Sequence, residues 1–134
     1  RAARAKGCGT KIYLTSEAGA QLATPDMAGV IVSQVLPHPS TGSLPLVMDL
    51  QRQLLLKQPG TTASYPLLEG YLYAHVIAEA LARCPEIGRR CVVAAMEARP
   101  FDIGGYQVQF APGDRRGSRF VEMTIATRDG RFRR

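Results

Sequence analysis

Phe101-Asp102-Ile103-Gly104-Gly105-Tyr106-Gln107-Val108-Gln109-Phe110-Ala111-Pro112-Gly113-Asp114-Arg115-Arg116-Gly117-Ser118-Arg119-Phe120-Val121-Glu122 is the stretch on which the fold turns. Within it, residues 106–110 alternate apolar and polar side chains, the period-two pattern of a strand with one buried face. Residues 120–125 alternate less strictly. Residues 111–118, between them, carry the Pro, Gly and Asp of turn chemistry. Further on, Arg128-Asp129-Gly130-Arg131 places Asp-Gly in a hairpin turn, with residues 131–134 as a short closing strand. Gly104-Gly105 precedes a strand, the wrong context for a phosphate-binding glycine loop.

Upstream, the period changes from two to that of a helix, and three helices are expected. Ser43 can cap the first, with Pro45 in its first turn and Leu46, Val47, Leu50 and Leu54 on one face. Gln58-Pro59-Gly60 ends it. The second is expected over about residues 65–83, with Leu68, Leu72, His75 and Glu79 on one diagonal and Leu67, Tyr71, Ala74, Ala78 and Leu81 on the inner one. The third is expected over about residues 86–98, with Ile87, Cys91, Ala94 and Ala95 inward.

The N-terminal part has a different character. Residues 1–6 read as the last turn of a helix, with Gly7 and Gly9 as its stop. Residues 11–15 form a short apolar run expected as a buried strand. Residues 16–23 follow as a loop and short helix, with Ser16 as N-cap, until Thr24-Pro25-Asp26 breaks it. Residues 29–36 are β-branched and almost continuously apolar, as in a strand covered on both faces of a parallel sheet. Strand, helix and strand in succession give an α/β class. Pro37-His38-Pro39-Ser40-Thr41-Gly42 is expected as a stiff, extended linker and a boundary between lobes.

Composition narrows the function classes. The 134 residues are 46% hydrophobic and 21% charged, as in a globular domain and not a disordered one. No apolar run approaches the ~20 residues needed to cross a bilayer. The net charge of +6 raises nucleic-acid binding. However, Arg1, Arg4, Lys6 and Lys11 sit at one end and Arg115, Arg116, Arg119, Arg128, Arg131, Arg133 and Arg134 at the other, the middle is close to neutral, and no basic stripe is interleaved with aromatics, so no nucleic-acid partner is expected. Enzymatic motifs are missing too. There is no GxSxG, HExxH or P-loop. Glu69 and Glu79 would stand about 15 Å apart along a helix, too far for paired acid–base work. The three cysteines form no CxxC and have no histidine at ligand spacing, so no metal is expected. Cys84 and Cys91 flank a Pro-containing connection that can bring them within disulfide range; the alternative is two buried thiols. Cys8 is left unpaired in either case.

Residues 101–122 resemble the C-terminal signature of type I periplasmic solute-binding proteins of ABC transporters, in the branched-chain amino-acid (leucine/isoleucine/valine) receptor group. Two other segments resemble that group in the same order. Gly29-Val30-Ile31-Val32-Ser33-Gln34-Val35-Leu36-Pro37 is similar to its strand leading into the hinge, and Ser64-Tyr65-Pro66-Leu67-Leu68-Glu69-Gly70-Tyr71 to the start of its next long helix. The resemblance implies part of a Rossmann-like, two-lobed α/β fold. Residues 1–36 would belong to the second lobe, residues 37–42 to a hinge crossing, residues 43–118 to helices on the first lobe plus a hinge strand, and residues 119–134 to strands returning to the second lobe. The chain begins with Arg1 and not Met, so the start, any signal peptide and the first lobe's sheet are expected upstream. Helices deprived of that sheet would expose apolar faces, and the 134-residue chain is expected to self-associate.

The implied function is non-catalytic: an extracytoplasmic receptor, periplasmic or membrane-anchored, for amino acids or related small carboxylates. No cofactor is expected, and the partners are the ligand and the ABC permease subunits. Two alternatives are a ligand-sensing regulatory domain of the same fold and a small α/β enzyme. By resemblance, Glu17 stands where the family holds the ligand ammonium; its other reading is a carboxylate on a helix N-terminus. Ser16 can donate to ligand or cap the helix. Tyr65 can wall the cleft or pack in the core. Glu69 can face the hinge or stabilise a helix start. His38 can see the cleft or be a solvated loop residue.

Overall fold

The computed structural model describes residues 9–16 and 25–133. The helix end expected over residues 1–6, Cys8, and the short helix after Ser16 lie outside them. In chain order the elements are β1 (Tyr13–Thr15), a 3-10 turn (Pro25–Met27), β2 (Ile31–Gln34), α1 (Pro45–Lys57), α2 (Tyr65–Ala82), α3 (Arg89–Ala98), β3 (Phe101–Ile103), β4 (Tyr106–Ala111), β5 (Asp114–Gly117), β6 (Glu122–Ala126) and β7 (Phe132–Arg133). They fall into two compact units. One joins residues 1–35 to 120–134, and the other is residues 36–119.

The first unit is built on a sheet of order β1-β2-β6-β7. Only β1 and β2 are parallel; β6 runs antiparallel to β2, and β7 to β6. Val30, Val32 and Ala126 form the core, with Ile12, Leu14, Met27 and Phe132 packed against them. The Thr124 hydroxyl, buried there, donates to the Val32 carbonyl at 3.2 Å. The expectation that residues 29–36 form a strand covered on both faces of a parallel sheet is corrected. The tail inserts β6 as an antiparallel neighbour, and β2 alternates, with Val32 and Gln34 buried and Ile31 and Ser33 half-buried. On the other face Tyr13, Met123 and Ile125 are exposed.

The second unit holds the three helices and a sheet of order β3-β4-β5. Helix α1 begins at Pro45 with Leu44, not Ser43, as N-cap, and no side chain caps it. Proline drives the residue before it into extended backbone, so the helix starts one residue later than the serine suggests. Leu46, Val47 and Leu50 are buried as the spacing predicts. On α2 the buried residues are Leu68, Leu72, Val76 and Ala80, so the inner face expected through Leu67, Tyr71, Ala74, Ala78 and Leu81 is corrected. Helix α3 starts at Arg89 and not at Glu86, because Gly88 is extended (φ −162°, ψ 159°). Ala95 is its one buried residue, and Ile87, expected inward, is exposed.

Two tail strands were not expected from the sequence, although Phe101-Asp102-Ile103 does alternate apolar and polar. Phe101–Ile103 pairs antiparallel with β4, ending on the Ile103–Tyr106 pair. Gly104 and Gly105 form the two-residue turn between them, with φ of +56° and +82°. That double left-handed geometry is the hairpin turn matching the strand twist, and it explains the glycine pair. Part of the expected 111–118 turn is strand β5, which pairs with β4 through Gln109–Gly117 and Ala111–Asp114.

Candidate functional site

The site residues that the sequence singles out fall in both units. In the first, Ser16 follows directly on β1 and is half-buried. The pairing of Thr15 with Ser33 puts it at the same edge as Gln34, the C-terminal edge of the parallel pair. That edge is where open α/β sheets bind ligands. Glu17, the next residue, lies outside the described residues. Gln34 escaped the sequence reading. It is almost fully buried, and its Nε2 meets no hydrogen-bond acceptor among the described residues. Its signal was a lone carboxamide in an apolar strand.

In the second unit Tyr65 opens α2 and is half-buried. Its ring meets that of His38 edge-on, with centroids 5.8 Å apart. His38 is itself engaged: Nδ1 accepts the backbone N–H groups of Ser40 at 3.2 Å and Thr41 at 3.3 Å. The Gly42 N–H donates to the His38 carbonyl at 2.8 Å. Residues 38–42 thus close a turn, correcting the extended linker. Pro37 and Pro39 are buried, and the Gln51 side chain donates to the Pro39 carbonyl at 2.9 Å, binding the segment to α1.

Glu69 lies one helical turn after Tyr65 on the same α2 face. Its carboxylate accepts the Tyr73 hydroxyl at 2.5 Å. This bond, followed by burial, pushes the Tyr73 phenol up to about 12. Burial also raises the Tyr106 phenol; a hydrogen bond with Ser118 opposes that rise and the Glu69 charge adds to it. Glu69 therefore sits among tyrosines, with one oxygen already committed to its own helix.

Cys84 and Cys91 are joined by a disulfide, with Cα atoms 5.8 Å apart. No group of three or more His, Cys, Asp or Glu among the described residues could hold a metal ion. No helix among them is long and apolar enough to cross a membrane. The structure pairs His38 with Tyr65 at the start of α2 and Glu69 with Tyr73 further along it, and puts Ser16 and Gln34 at one sheet edge. None of these has the acid–base or nucleophile–base geometry of catalysis.

No protein-family model and no curated protein matches the sequence. Solved structures do. A possible leucine/isoleucine/valine-binding protein from Rhodopirellula baltica aligns over 96% of this chain at 29% identity, with a TM-score of 0.83. An extracellular ligand-binding receptor from Verminephrobacter eiseniae aligns over 98% at 25% identity and TM-score 0.78. A substrate-binding periplasmic protein from Ralstonia solanacearum aligns over 95% at 27% identity and TM-score 0.75. The chain spans 39%, 37% and 38% of the Verminephrobacter, Rhodopirellula and Ralstonia proteins. Each of the three is described as a binding protein or receptor, and none as an enzyme. The chain has the α/β fold of type I periplasmic solute-binding proteins of ABC transporters, and its matches include a possible leucine/isoleucine/valine-binding protein.

Proposed function

We propose that this chain is part of the extracytoplasmic substrate-binding component of an ABC importer for amino acids or related small carboxylates. The observation that carries the reading is the alignment of nearly the whole chain, at 29% identity, with a possible leucine/isoleucine/valine-binding protein. In this reading residues 1–36 and 119–134 serve the second lobe and residues 37–42 a crossing. Residues 43–118 serve the first lobe and the return crossing. The division into compact units at residues 35/36 and 119/120 supports it. The ligand bridges the lobes and stabilises the closed form, which the permease subunits recognise, in the periplasm or on the outer side of a membrane. No bond in the ligand is made or broken.

The chemistry of a zwitterion sets what the site must supply. A buried ammonium needs a carboxylate, and a buried carboxylate needs donors. Glu17 is proposed for the ammonium, Ser16 as a donor beside it, Tyr65 as a wall, and Glu69 as a hinge-facing group behind Tyr65. The test is a thermal-shift screen of the full-length protein against amino acids and aromatic acids. A ligand at a hundred times its Kd should stabilise by about 2.7 kcal/mol. Silence across both classes would remove the ligand assignment. If Glu17→Gln leaves amino-acid binding unchanged, the ammonium site is elsewhere.

A further inference from the structure

Helix α3 is poorly made by its own sequence. It has ten residues, shorter than helices that persist alone in water. Its N-cap is Gly88, which brings no side-chain cap, and its first turn carries Arg89 and Arg90 with no acidic residue. Two cations at a helix N-terminus oppose the dipole. The last turn has no basic residue to meet its carbonyls. Burial adds little, since only Ala95 is inside.

Both weak ends are met from the same two residues at the end of α2. Cys84 is bonded to Cys91, the third residue of α3. Its neighbour Arg83, with a side chain 11% exposed, reaches the other end. The Arg83 Nη1 donates to the Ala95 carbonyl at 3.1 Å and the Arg99 carbonyl at 3.2 Å. Its Nη2 donates to the Pro100 carbonyl at 3.2 Å and pairs with Glu79 at 2.6 Å. The guanidinium also lies 3.9 Å from the centre of the fully buried Phe101 ring. A foreign arginine thus supplies the charge and donors that the α3 C-terminus lacks.

We infer that Cys84–Cys91 and Arg83 form a two-part clasp in which the disulfide holds the first turn of α3 and the arginine holds its last, making the first turn alone sensitive to redox state. An oxidising compartment preserves the disulfide. A dithiol opens it: one thiolate attacks a cysteine sulfur, the second thiol resolves the mixed disulfide, and two electrons and two protons pass to Cys84 and Cys91 as the reductant closes to its cyclic disulfide. The clasp stands independently of the transport reading.

The test is hydrogen exchange on the full-length protein, oxidised and in dithiothreitol. The Val92 N–H, bonded to the Gly88 carbonyl at 3.0 Å, reports the first turn. Reduction should speed exchange across residues 86–93 roughly tenfold and leave residues 95–103 unchanged. Arg83→Lys, which keeps the charge but loses the fork, should do the reverse. Alkylation of Cys84 and Cys91 without reductant would overturn the clasp. So would unchanged exchange at residues 86–93, or loss of protection throughout the second unit on reduction. If Arg83→Lys fails to fold, the reduction arm decides alone.

Discussion

The Tyr71 hydroxyl donates to the Asp49 carboxylate, joining α2 to α1. The same carboxylate accepts from Arg52 at 2.6 Å. The tyrosine bond and then the arginine hold Asp49 below the usual carboxylate range. Burial, then the bond to Asp49, pushes the Tyr71 phenol up to about 12. Asp49 is lowered on folding, so its contribution is complete above the unfolded value of about 4 and is lost as pH falls through the folded one. Tyr71 is raised, so its contribution is complete below about 10 and is lost as pH rises towards 12. Tyr71→Phe should cost about 1 kcal/mol at neutral pH in urea denaturation. A pH-independent difference between wild type and variant from pH 2 to 11 would contradict the pairing.

Gly104 offers a second test. Its carbonyl accepts the Leu46 N–H at 3.1 Å, docking the β3–β4 turn on the start of α1. A Cβ there would lie 2.5 Å from the Leu46 nitrogen, whereas at Gly60, also at positive φ, it would meet nothing within 4 Å. Gly60→Ala should therefore cost only the left-handed penalty of about 1 kcal/mol. Gly104→Ala adds a backbone collision and should cost at least about 2 kcal/mol more. Equal melting temperatures for the two variants would show that the turn does not press on α1.

The 134-residue chain expressed alone is expected to self-associate. Met48, Leu55, Leu56, Ile77 and Ile87 stand exposed in the second unit, and Tyr13, Met123 and Ile125 in the first. Exposed apolar side chains draw a partner where they join into a patch. Sedimentation should show mass rising with concentration above the 14.5 kDa of one chain. A sharp species of that mass at every concentration would overturn the expectation.

Legibility in the sequence followed physical contrast. On helix α1 the spacing of Leu46, Val47 and Leu50 put them on one side, so they were readable as its buried face, although Met48, Leu55 and Leu56 stand exposed on the rest of the helix. Helix α2 is apolar nearly all round, so spacing could not choose between the Leu67 and Leu68 diagonals, and packing chose Leu68. Strand β5, Asp-Arg-Arg-Gly, has no apolar alternation and exists because β4 pairs with it. The contact of Tyr65 with His38 bridges 27 positions of chain, and no local pattern encodes it. The reach of Arg83 to α3 had no signal, since apart from Glu79 its acceptors are carbonyls, and carbonyls have no letter in the sequence.

Strand β6 beside β2 has a consequence for synthesis. The Thr124 hydroxyl reaches the Val32 carbonyl across 92 positions of chain. On the ribosome β1 and β2 emerge well before β6, with the β2 edge of their sheet open. They keep it open while all of residues 36–119 are made, a contiguous unit free to fold first. The partner strand arrives only with residues 122–126. The ladder edge of β2 is thus available to other chains for as long as the tail is unmade. A stop codon shortly before Glu122 would make that opening permanent, leaving the second unit complete and the first a two-stranded remnant.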